Sequence, residues 1–142
     1  MKNLEMFCTS MEPNHYEFIK KIGYIPSALG EKDFQEGWLR DNTNINISKK
    51  NKNYAELTFH YWFWKNYLNK FDNNTWIGFC QKRRFWIKSK KRIRNFKDLK
   101  MHILKKPDTK WKNYQSVICN PIKVNNPKTM KLIKRGWKNI IK

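Results

Sequence analysis

The sequence predicts an α/β fold, because short apolar segments typical of strands alternate along the chain with segments of helical spacing. Residues 4–9 and residues 75–80 are compact apolar runs of strand length. Between them, Phe59, Trp62, Phe63 and Tyr67 recur at spacings of three and four, which predicts a helix with a strongly apolar face. Strands that alternate with helices in this way build an α/β sheet.

The remaining segments continue this alternation toward both ends of the chain. In the first half we expect a helical turn or two at 15–21, a strand end and loop at 22–29, a short helix closed by Gly37 at 32–37, and an Asn-rich loop at 40–48. In the second half we expect a charged loop at 88–94 and a helix capped by Asn95 that runs to about residue 105. Short strands at 115–120 and 122–124 and a last, lysine-rich helix from Pro127 complete the prediction.

The start of the aromatic helix carries its own signals. Asn53 is a good N-cap, and Glu56 follows three residues later, as in a capping box. We therefore assign Glu56 to the helix cap in preference to a role as a catalytic base. Trp62 lies on the apolar stripe and is expected in the core. Trp64 lies off that stripe beside Lys65 and is better placed to stack on a base or a sugar ring.

Composition limits the 142 residues to one domain with a substantial core. The hydrophobic fraction of 39% and the aromatic fraction of 15% are too high for a disordered chain. No apolar run reaches the length of about 18 residues that marks a membrane span, and the N-terminus lacks the apolar region of a secretory signal. These features predict a cytoplasmic protein.

The net charge of +20 is concentrated in the second half of the chain. Residues 1–79 contain ten Lys or Arg against nine Asp or Glu, whereas residues 80–142 contain 21 against two. Such asymmetry is typical of a polyanionic partner, either nucleic acid, anionic lipid or a phosphate-rich substrate. The excess of Lys over Arg, with many Asn and Ile, is equally typical of codon bias in an AT-rich genome. The positions of individual arginines are therefore more informative than the total charge.

The cysteines and histidines do not suggest a metal site. Cys8, Cys80 and Cys119 each lie in an apolar, strand-like context, which favours small buried thiols over ligands or nucleophiles. The histidines at 15, 60 and 102 have no metal-type spacing with the cysteines or with each other. His60 lies within the aromatic helix, where we expect it to be packed rather than catalytic.

The strand predicted at 75–80 is followed closely by Lys82, Arg83 and Arg84. Cations at the carboxyl end of a strand, beside a helix, lie where α/β proteins commonly hold phosphates. The alternative is a basic strand end that only faces solvent. Successive strand residues point to opposite faces, so at most one of the two arginines lines a site if the strand continues. Gly78 inside the strand indicates the close approach of another backbone or a ligand.

Three blocks of residues carry a resemblance to a known family, and the match extends over about residues 4 to 86. They are Asp41-Asn42, Asn46-Ile47-Ser48 and Asn51; Tyr54, Glu56-Leu57-Thr58, Tyr61-Trp62 and Trp64-Lys65-Asn66; and Ile77-Gly78, Cys80 and Arg83-Arg84-Phe85. Their order and spacing resemble the bacterial family called domain of unknown function 4422, whose members are associated with capsular and exopolysaccharide synthesis as glycosyltransferases. Gln81-Lys82 stand where that family typically has His-Tyr, so a chemical role of that histidine does not carry over to this chain.

The resemblance implies a Rossmann-like fold of the glycosyltransferase A type, with a mixed, mostly parallel sheet flanked by helices. The family domain is longer than this chain, so we expect residues 1–142 to be a single, incomplete α/β domain, the N-terminal part of a longer one. The implied enzyme transfers a sugar from a nucleotide-sugar donor to a glycan or a lipid-linked acceptor. No Asp-x-Asp motif is present, which leaves a requirement for a divalent metal open.

The resemblance also weights the candidate sites. It favours phosphate binding by Arg83 and Arg84, whose guanidinium groups would neutralise the diphosphate in place of a metal; Lys82 is a weaker candidate because lysine is abundant. The candidate nucleotide- or sugar-binding residues are Asp41, Asn42, Asn46 and Trp64. Ordinary turn chemistry is an even alternative for the loop residues among these. No catalytic residue is assigned.

Two further interpretations stay open from the sequence. The basic second half also suits a nucleic-acid-binding module, although its cations are mostly Lys spread over several elements and no nucleic-acid motif is present. An inactive, truncated homologue would explain both the length and the missing His-Tyr pair. The C-terminal basic helix would let a cytoplasmic enzyme contact anionic lipid at the inner face of the cell membrane, with an ordinary packed helix as the slightly preferred alternative.

Overall fold

The computed structural model describes residues 3–88 and 92–120 and contains a four-stranded parallel sheet. Its strands are β1 (Asn3–Ser10), β2 (Ile25–Ala28), β3 (Leu39–Arg40) and β4 (Thr75–Gln81), in the spatial order β3-β2-β1-β4. The predicted Rossmann-like α/β class is confirmed. We expected a mixed sheet, but the four described strands are all parallel to their neighbours.

Four helices accompany the sheet in the described part of the chain. They are α1 (Tyr16–Ile22), α2 (Asn51–Tyr54), α3 (Leu57–Asn66) and α4 (Phe96–His102). Short 3-10 turns occur at Pro13–His15, Ser48–Lys50, Leu68–Lys70 and Thr109–Trp111. Asn95 caps α4 as predicted, because its side chain accepts a hydrogen bond from the backbone N–H of Asp98. The helix ends at His102, a few residues before the predicted end.

The central strand β1 is buried on both faces, which explains its three consecutive apolar residues, Met6, Phe7 and Cys8. Met6 and Cys8 belong to a core cluster that includes residues of α1 and α4. Phe7 points to the opposite face and packs against the aromatic side chains of α3, namely Phe59, Trp62 and Phe63. The predicted core position of Trp62 is confirmed, with 5% of its surface exposed. The sheet is therefore covered by helices on both faces, as in doubly wound α/β folds.

The strand register brings the carboxyl ends of all four strands to one edge of the sheet. Thr9 pairs with Gln81, and Ala28 pairs with both Ser10 and Arg40. Residues that follow these positions therefore emerge side by side. This edge is where open parallel sheets bind their ligands.

Gly78 allows a close approach within the core, but the predicted partner, another backbone or a ligand, is wrong. A Cβ atom at this position would collide with the sulfur of Met6 on the neighbouring strand. The partner is therefore a side chain rather than a backbone or a ligand. Cys8 and Cys80 are paired in register and buried, as predicted for small apolar thiols, whereas Cys119 is exposed and the prediction for it is wrong.

Two other local predictions are wrong. Residues 32–37 form no helix, and Gly37 lies in a turn with φ of 94°, packed against the hydroxyl of Tyr16. Residues 115–120 are not a strand and are mostly exposed, because the polar residues around Val117 and Ile118 leave too little apolar surface to pair with the sheet. The strand at 122–124 and the last helix lie outside the described residues. None of the helices in residues 3–88 and 92–120 has the length and apolar character needed to cross a bilayer.

Candidate functional site

A cavity of about 850 Å³ opens at the carboxyl end of β4. Thr9 from β1 and Gln81 from β4 contribute to its wall. β2 and β3 lie on one side of β1 and β4 lies on the other, so the strand order reverses between β1 and β4. In open α/β sheets the crevice at such a reversal is the usual ligand site. The position of the cavity therefore makes it the candidate functional site.

Only one of the two adjacent arginines lies on the wall of this cavity. β4 ends at Gln81 and the chain turns at once, with the N–H of Arg84 donating to the carbonyl of Gln81 over 2.9 Å. Arg84 lines the cavity, whereas Arg83 is not among its lining residues, although both side chains are exposed. Within residues 3–88 and 92–120 neither guanidinium group forms an ion pair with a carboxylate. Arg84 is therefore free to meet an anion that enters the cavity.

Two lysines add to the positive charge of the wall. Lys88 and Lys106 line the cavity together with Arg84, against the carboxylates of Glu56 and Asp108. Cations outnumber carboxylates among the described lining residues, which favours a bound anion.

Lys82, the third predicted phosphate ligand, lies apart from this wall. Its ammonium nitrogen is 4.1 Å from the centre of the Phe18 ring, a distance typical of a cation–π contact. Its predicted contact with phosphate stays a prediction, and its present partner is an aromatic ring.

Glu56 and His60 bring acid–base groups to the same cavity. Glu56 immediately precedes α3 and His60 lies four residues later, so both side chains share one side of the helix. The amide nitrogen of Gln81 donates to Oε1 of Glu56 over 2.5 Å. Within the described residues the other carboxylate oxygen accepts no hydrogen bond, so it is available to a ligand.

His60 is half-buried against Phe79, with ring centres 4.4 Å apart. Burial lowers the pKa of His60 below its usual value, and the nearby Glu56 carboxylate offsets this only in part. The imidazole is therefore neutral at pH 7. His60 packs against Phe79, as expected, but its imidazole ring also lines the cavity.

The predicted capping box is wrong, and its failure explains why Glu56 faces the cavity. The expected single helix is broken at Ala55, whose φ is 48° and ψ is −130°. Asn53 lies inside α2, and Glu56 precedes α3 without any side-chain cap hydrogen bond. A positive φ in a non-glycine residue costs on the order of 1–3 kcal/mol and persists only where surrounding contacts impose it.

Those contacts come from a buried polar network around Asp41. Asp41 is fully buried; its Oδ1 accepts from the N–H of Gly30 over 2.9 Å and its Oδ2 accepts from the hydroxyl of Thr58 over 2.5 Å. The side-chain amide of Asn51 donates to the carbonyl of Ala55 and to the hydroxyl oxygen of Thr58. Burial raises the pKa of Asp41, against the opposing effect of these hydrogen bonds. The network fixes the break between α2 and α3.

The other candidate sugar-binding residues lie near this network or on the surface rather than on the cavity wall. Asn46 stabilises its own loop, because its carbonyl oxygen accepts from the N–H and the hydroxyl of Ser48. Asn42 is half-buried beside Asp41. Trp64 is 58% exposed, with the ammonium nitrogen of Lys65 3.7 Å from its ring centre. Contact of Asp41, Asn42, Asn46 and Trp64 with a nucleotide or sugar stays a prediction.

The described residues contain no group of three or more His, Cys, Asp or Glu side chains arranged to hold a metal ion. The remaining wall is largely aromatic, from Phe79, Phe85, Trp86 and Trp111. The indole N–H of Trp86 donates to the carbonyl of Phe79 over 2.9 Å, which fixes that ring against β4. The cavity therefore combines flat apolar surface with cations and with the carboxylates of Glu56 and Asp108.

A family model described as a domain of unknown function (DUF4422) matches residues 10–136. The chain belongs to the DUF4422 family. No curated protein and no solved structure matches the chain. The DUF4422 match includes β4 and the helical segment α2–α3, and so covers both sides of the cavity.

The DUF4422 cavity also contains residues that the sequence did not favour as functional residues. Glu56 was assigned to a cap, His60 to packing, and Lys106 and Trp111 to no role. The spacing of four between Glu56 and His60 could have predicted that the two side chains face one site, since it places both on one side of a helix. Lys106 and Trp111 come from the segment after α4, and no local pattern indicates that this segment approaches the end of β4.

Proposed function

We propose that this DUF4422 chain carries the donor site of a glycosyltransferase and transfers a sugar from a nucleotide-sugar donor in the cavity beside β4. One observation carries the proposal: an arginine that has no carboxylate partner among the described residues lies on the wall of a cavity at the reversal point of a parallel sheet. The resemblance to polysaccharide-synthesis proteins supports the same conclusion. The acceptor is a glycan or a lipid-linked hydroxyl compound.

The chemistry of the donor fits the charges and surfaces of the wall. Arg84, Lys88 and Lys106 would bind the diphosphate, and the guanidinium group can contact two phosphate oxygens at once. As the bond between the anomeric carbon and the diphosphate oxygen breaks, negative charge grows on the leaving nucleoside diphosphate. Cations held in place before the reaction stabilise that charge. Trp86 and Trp111 offer apolar surface to the base or the sugar.

Glu56 is the residue that we propose as the general base. Its Oε1 is held by Gln81, while its second oxygen accepts no hydrogen bond from the described residues. The acceptor O–H would give its proton to this carboxylate as the acceptor oxygen bonds to the anomeric carbon, and the nucleoside diphosphate would leave with the bonding pair. His60 is neutral and borders the same space.

Donor binding can be tested by thermal unfolding with UDP- and GDP-sugars. A donor present at about one hundred times its Kd stabilises by about 2.7 kcal/mol, which raises Tm by roughly 5–10 °C. Arg84→Ala should weaken donor binding by about ten- to a hundredfold, because it removes charged hydrogen bonds of about 1.5–3 kcal/mol. Arg83→Ala is the matched control, since it removes the same charge from the neighbouring residue outside the cavity.

The result that would contradict donor binding is a Tm unchanged by every nucleotide sugar, or an equal loss of binding in both arginine variants. Equal loss would mean that only the general positive charge matters, as in a nucleic-acid-binding module. Turnover is tested separately by mass spectrometry of sugar transfer or donor hydrolysis. Glu56→Gln should keep the donor-induced Tm shift and lose turnover; unchanged turnover in this variant would remove the base assignment.

A further inference from the structure

An exposed apolar stripe runs along the outer side of the helical segment that borders the cavity. Leu57, Tyr61 and Trp64 follow one another on α3 at spacings of four and three, with Tyr54 just before and Leu68 just after the helix. Four of these five side chains are between 42% and 58% exposed, and Tyr61 packs edge-on against Trp64. Single exposed apolar residues are ordinary, but a contiguous row of large ones marks an interaction surface.

The stripe is distinct from the core side of α3. Phe59, Trp62 and Phe63 are buried against β1, with exposures of 5% or less. Asn66 ties the end of the helix to the preceding loop, donating to the carbonyl of Ile45 over 2.8 Å. The helix is thus held by its core side, and the stripe is left facing outward in the described structure.

The charges around the stripe identify the partner. Exposed Lys52, Lys65 and Lys70 flank it, and the ammonium group of Lys65 covers the Trp64 ring. Between residues 42 and 71 the only acidic residue is Glu56, which faces the cavity. Tyr and Trp beside lysines, on an otherwise uncharged apolar face, match the boundary between headgroups and acyl chains in an anionic bilayer. We propose that this stripe docks the protein on an anionic membrane surface.

Docking through the stripe would bring the cavity close to the bilayer. Leu57 follows Glu56 directly, Tyr61 follows His60 directly, and Trp64 lies one helical turn beyond His60. At about 100° per residue, the stripe and the cavity-lining side of α3 are therefore adjacent strips of the helix surface. This step rests on the proposed function. If the cavity holds the sugar donor, docking would bring it to acceptors that are carried in the membrane.

The proposal is tested by flotation of the chain with vesicles of phosphatidylcholine alone and with about one-third phosphatidylglycerol. At about 0.5 M salt the Debye length is only about 4 Å, so general attraction of a +20 chain is suppressed and apolar docking remains. The double variant Leu57→Ser/Trp64→Ser should partition at least about tenfold more weakly, since each buried large side chain contributes roughly a factor of ten. Met101→Ser is the control, because Met101 is 57% exposed on α4.

A second comparison tests the lysines with two double variants that have the same net charge as each other. At low salt, Lys52→Glu/Lys65→Glu should weaken binding to phosphatidylglycerol vesicles several-fold more than Lys97→Glu/Lys100→Glu on α4. Equal effects of the two pairs, or equal effects of the stripe and Met101 variants, would overturn the proposal. So would a Tm loss above about 5 °C in the stripe variant, which would show that the chain itself covers this face. A stripe-dependent dimer on gel filtration without vesicle binding would assign the face to a second copy. Vesicle binding is independent of the donor-induced Tm shift, so either proposal can fail alone.

Discussion

Asp41→Ala should lower the stability of the fold at neutral pH, whereas Asp41→Asn should leave it nearly unchanged or raise it. In the alanine variant the N–H of Gly30 loses its acceptor, and a buried donor without a partner costs about 1–3 kcal/mol. The hydroxyl of Thr58 keeps the carbonyl of Ala55 as an acceptor at 3.0 Å, so its loss is limited to about 1 kcal/mol. We expect Asp41→Ala to lower the free energy of unfolding by about 2–4 kcal/mol.

The asparagine variant can preserve the whole network. Its side-chain oxygen can accept from Gly30, and its amide can donate to Thr58. One acceptor position of the Thr58 hydroxyl is filled by Asn51, the second is free for the new amide, and the Thr58 proton can turn to Ala55. The substitution also removes a carboxylate that is buried without a cation among its hydrogen-bond partners. We therefore expect Asp41→Asn to be within about 1 kcal/mol of the wild type, or more stable.

The pH dependence separates these explanations. Burial raises the pKa of Asp41, so the folded state holds this proton more tightly than the unfolded chain. The stability from this group is full below the usual Asp pKa of about 3.9 and is lost as the pH rises through the folded pKa. Relative to Asp41→Asn, the wild type should therefore lose stability as the pH rises from about 4 toward neutrality.

Urea unfolding followed by Trp fluorescence, at a series of pH values, measures this difference directly. Comparison with the asparagine variant removes the titration of all other groups, provided that both proteins have the same m-value. A wild type that gains stability over the variant as the pH rises would show that the carboxylate is stabilised by charge, and would refute the reasoning. So would an asparagine variant as unstable as the alanine variant.

Three further predictions follow from individual contacts. Ala55→Gly should stabilise the fold by about 1 kcal/mol, measured by urea unfolding, because glycine adopts a positive φ without strain; a loss of stability would contradict the strain. Gly78→Ala should cost about 1–3 kcal/mol, and much less in a Met6→Ala background, since the added methyl group collides with the Met6 sulfur; equal costs in both backgrounds would contradict the contact. The His60 pKa, followed by NMR, should lie below about 6.5 and fall further in Glu56→Gln, because the carboxylate raises it; a rise in that variant would contradict the assignment.

The fold class could be predicted because the strongest periodic signals survive in the structure. Met6, Phe7 and Cys8 are consecutive apolar residues, as expected of a strand that is buried on both faces. The spacing of the aromatic residues in α3 likewise predicted which side of that helix packs in the core. Short or polar segments were less informative: residues 32–37 and 115–120 have local patterns that suit a helix and a strand, but Phe34 packs into the core without a helix and residues 115–120 are mostly exposed.

The candidate site could be predicted only in part, since its location depends on strand order. The basic residues after β4 marked the end of a strand, and the structure brings Arg84 to the cavity through a turn that the sequence did not indicate. Glu56 was misassigned because alanine at position 55 gives no warning of a positive φ. Asn53 and Glu56 match the pattern of a helix start, and that pattern does not indicate a break between them.

The break at Ala55 links the polar motif residues to the cavity. A continuous helix through residue 55 would satisfy its own backbone and would orient Glu56 by helical periodicity alone. Instead, the side-chain amide of Asn51 donates to the carbonyl of Ala55, and Asp41, which accepts from the N–H of Gly30 at the sheet edge, also accepts the hydroxyl proton of Thr58. The strain at Ala55 is thereby offset by buried hydrogen bonds that involve no ligand. Their shared consequence is the position of one carboxylate, so under the proposed function, loss of this network should impair turnover through Glu56 even where donor binding at Arg84 is intact.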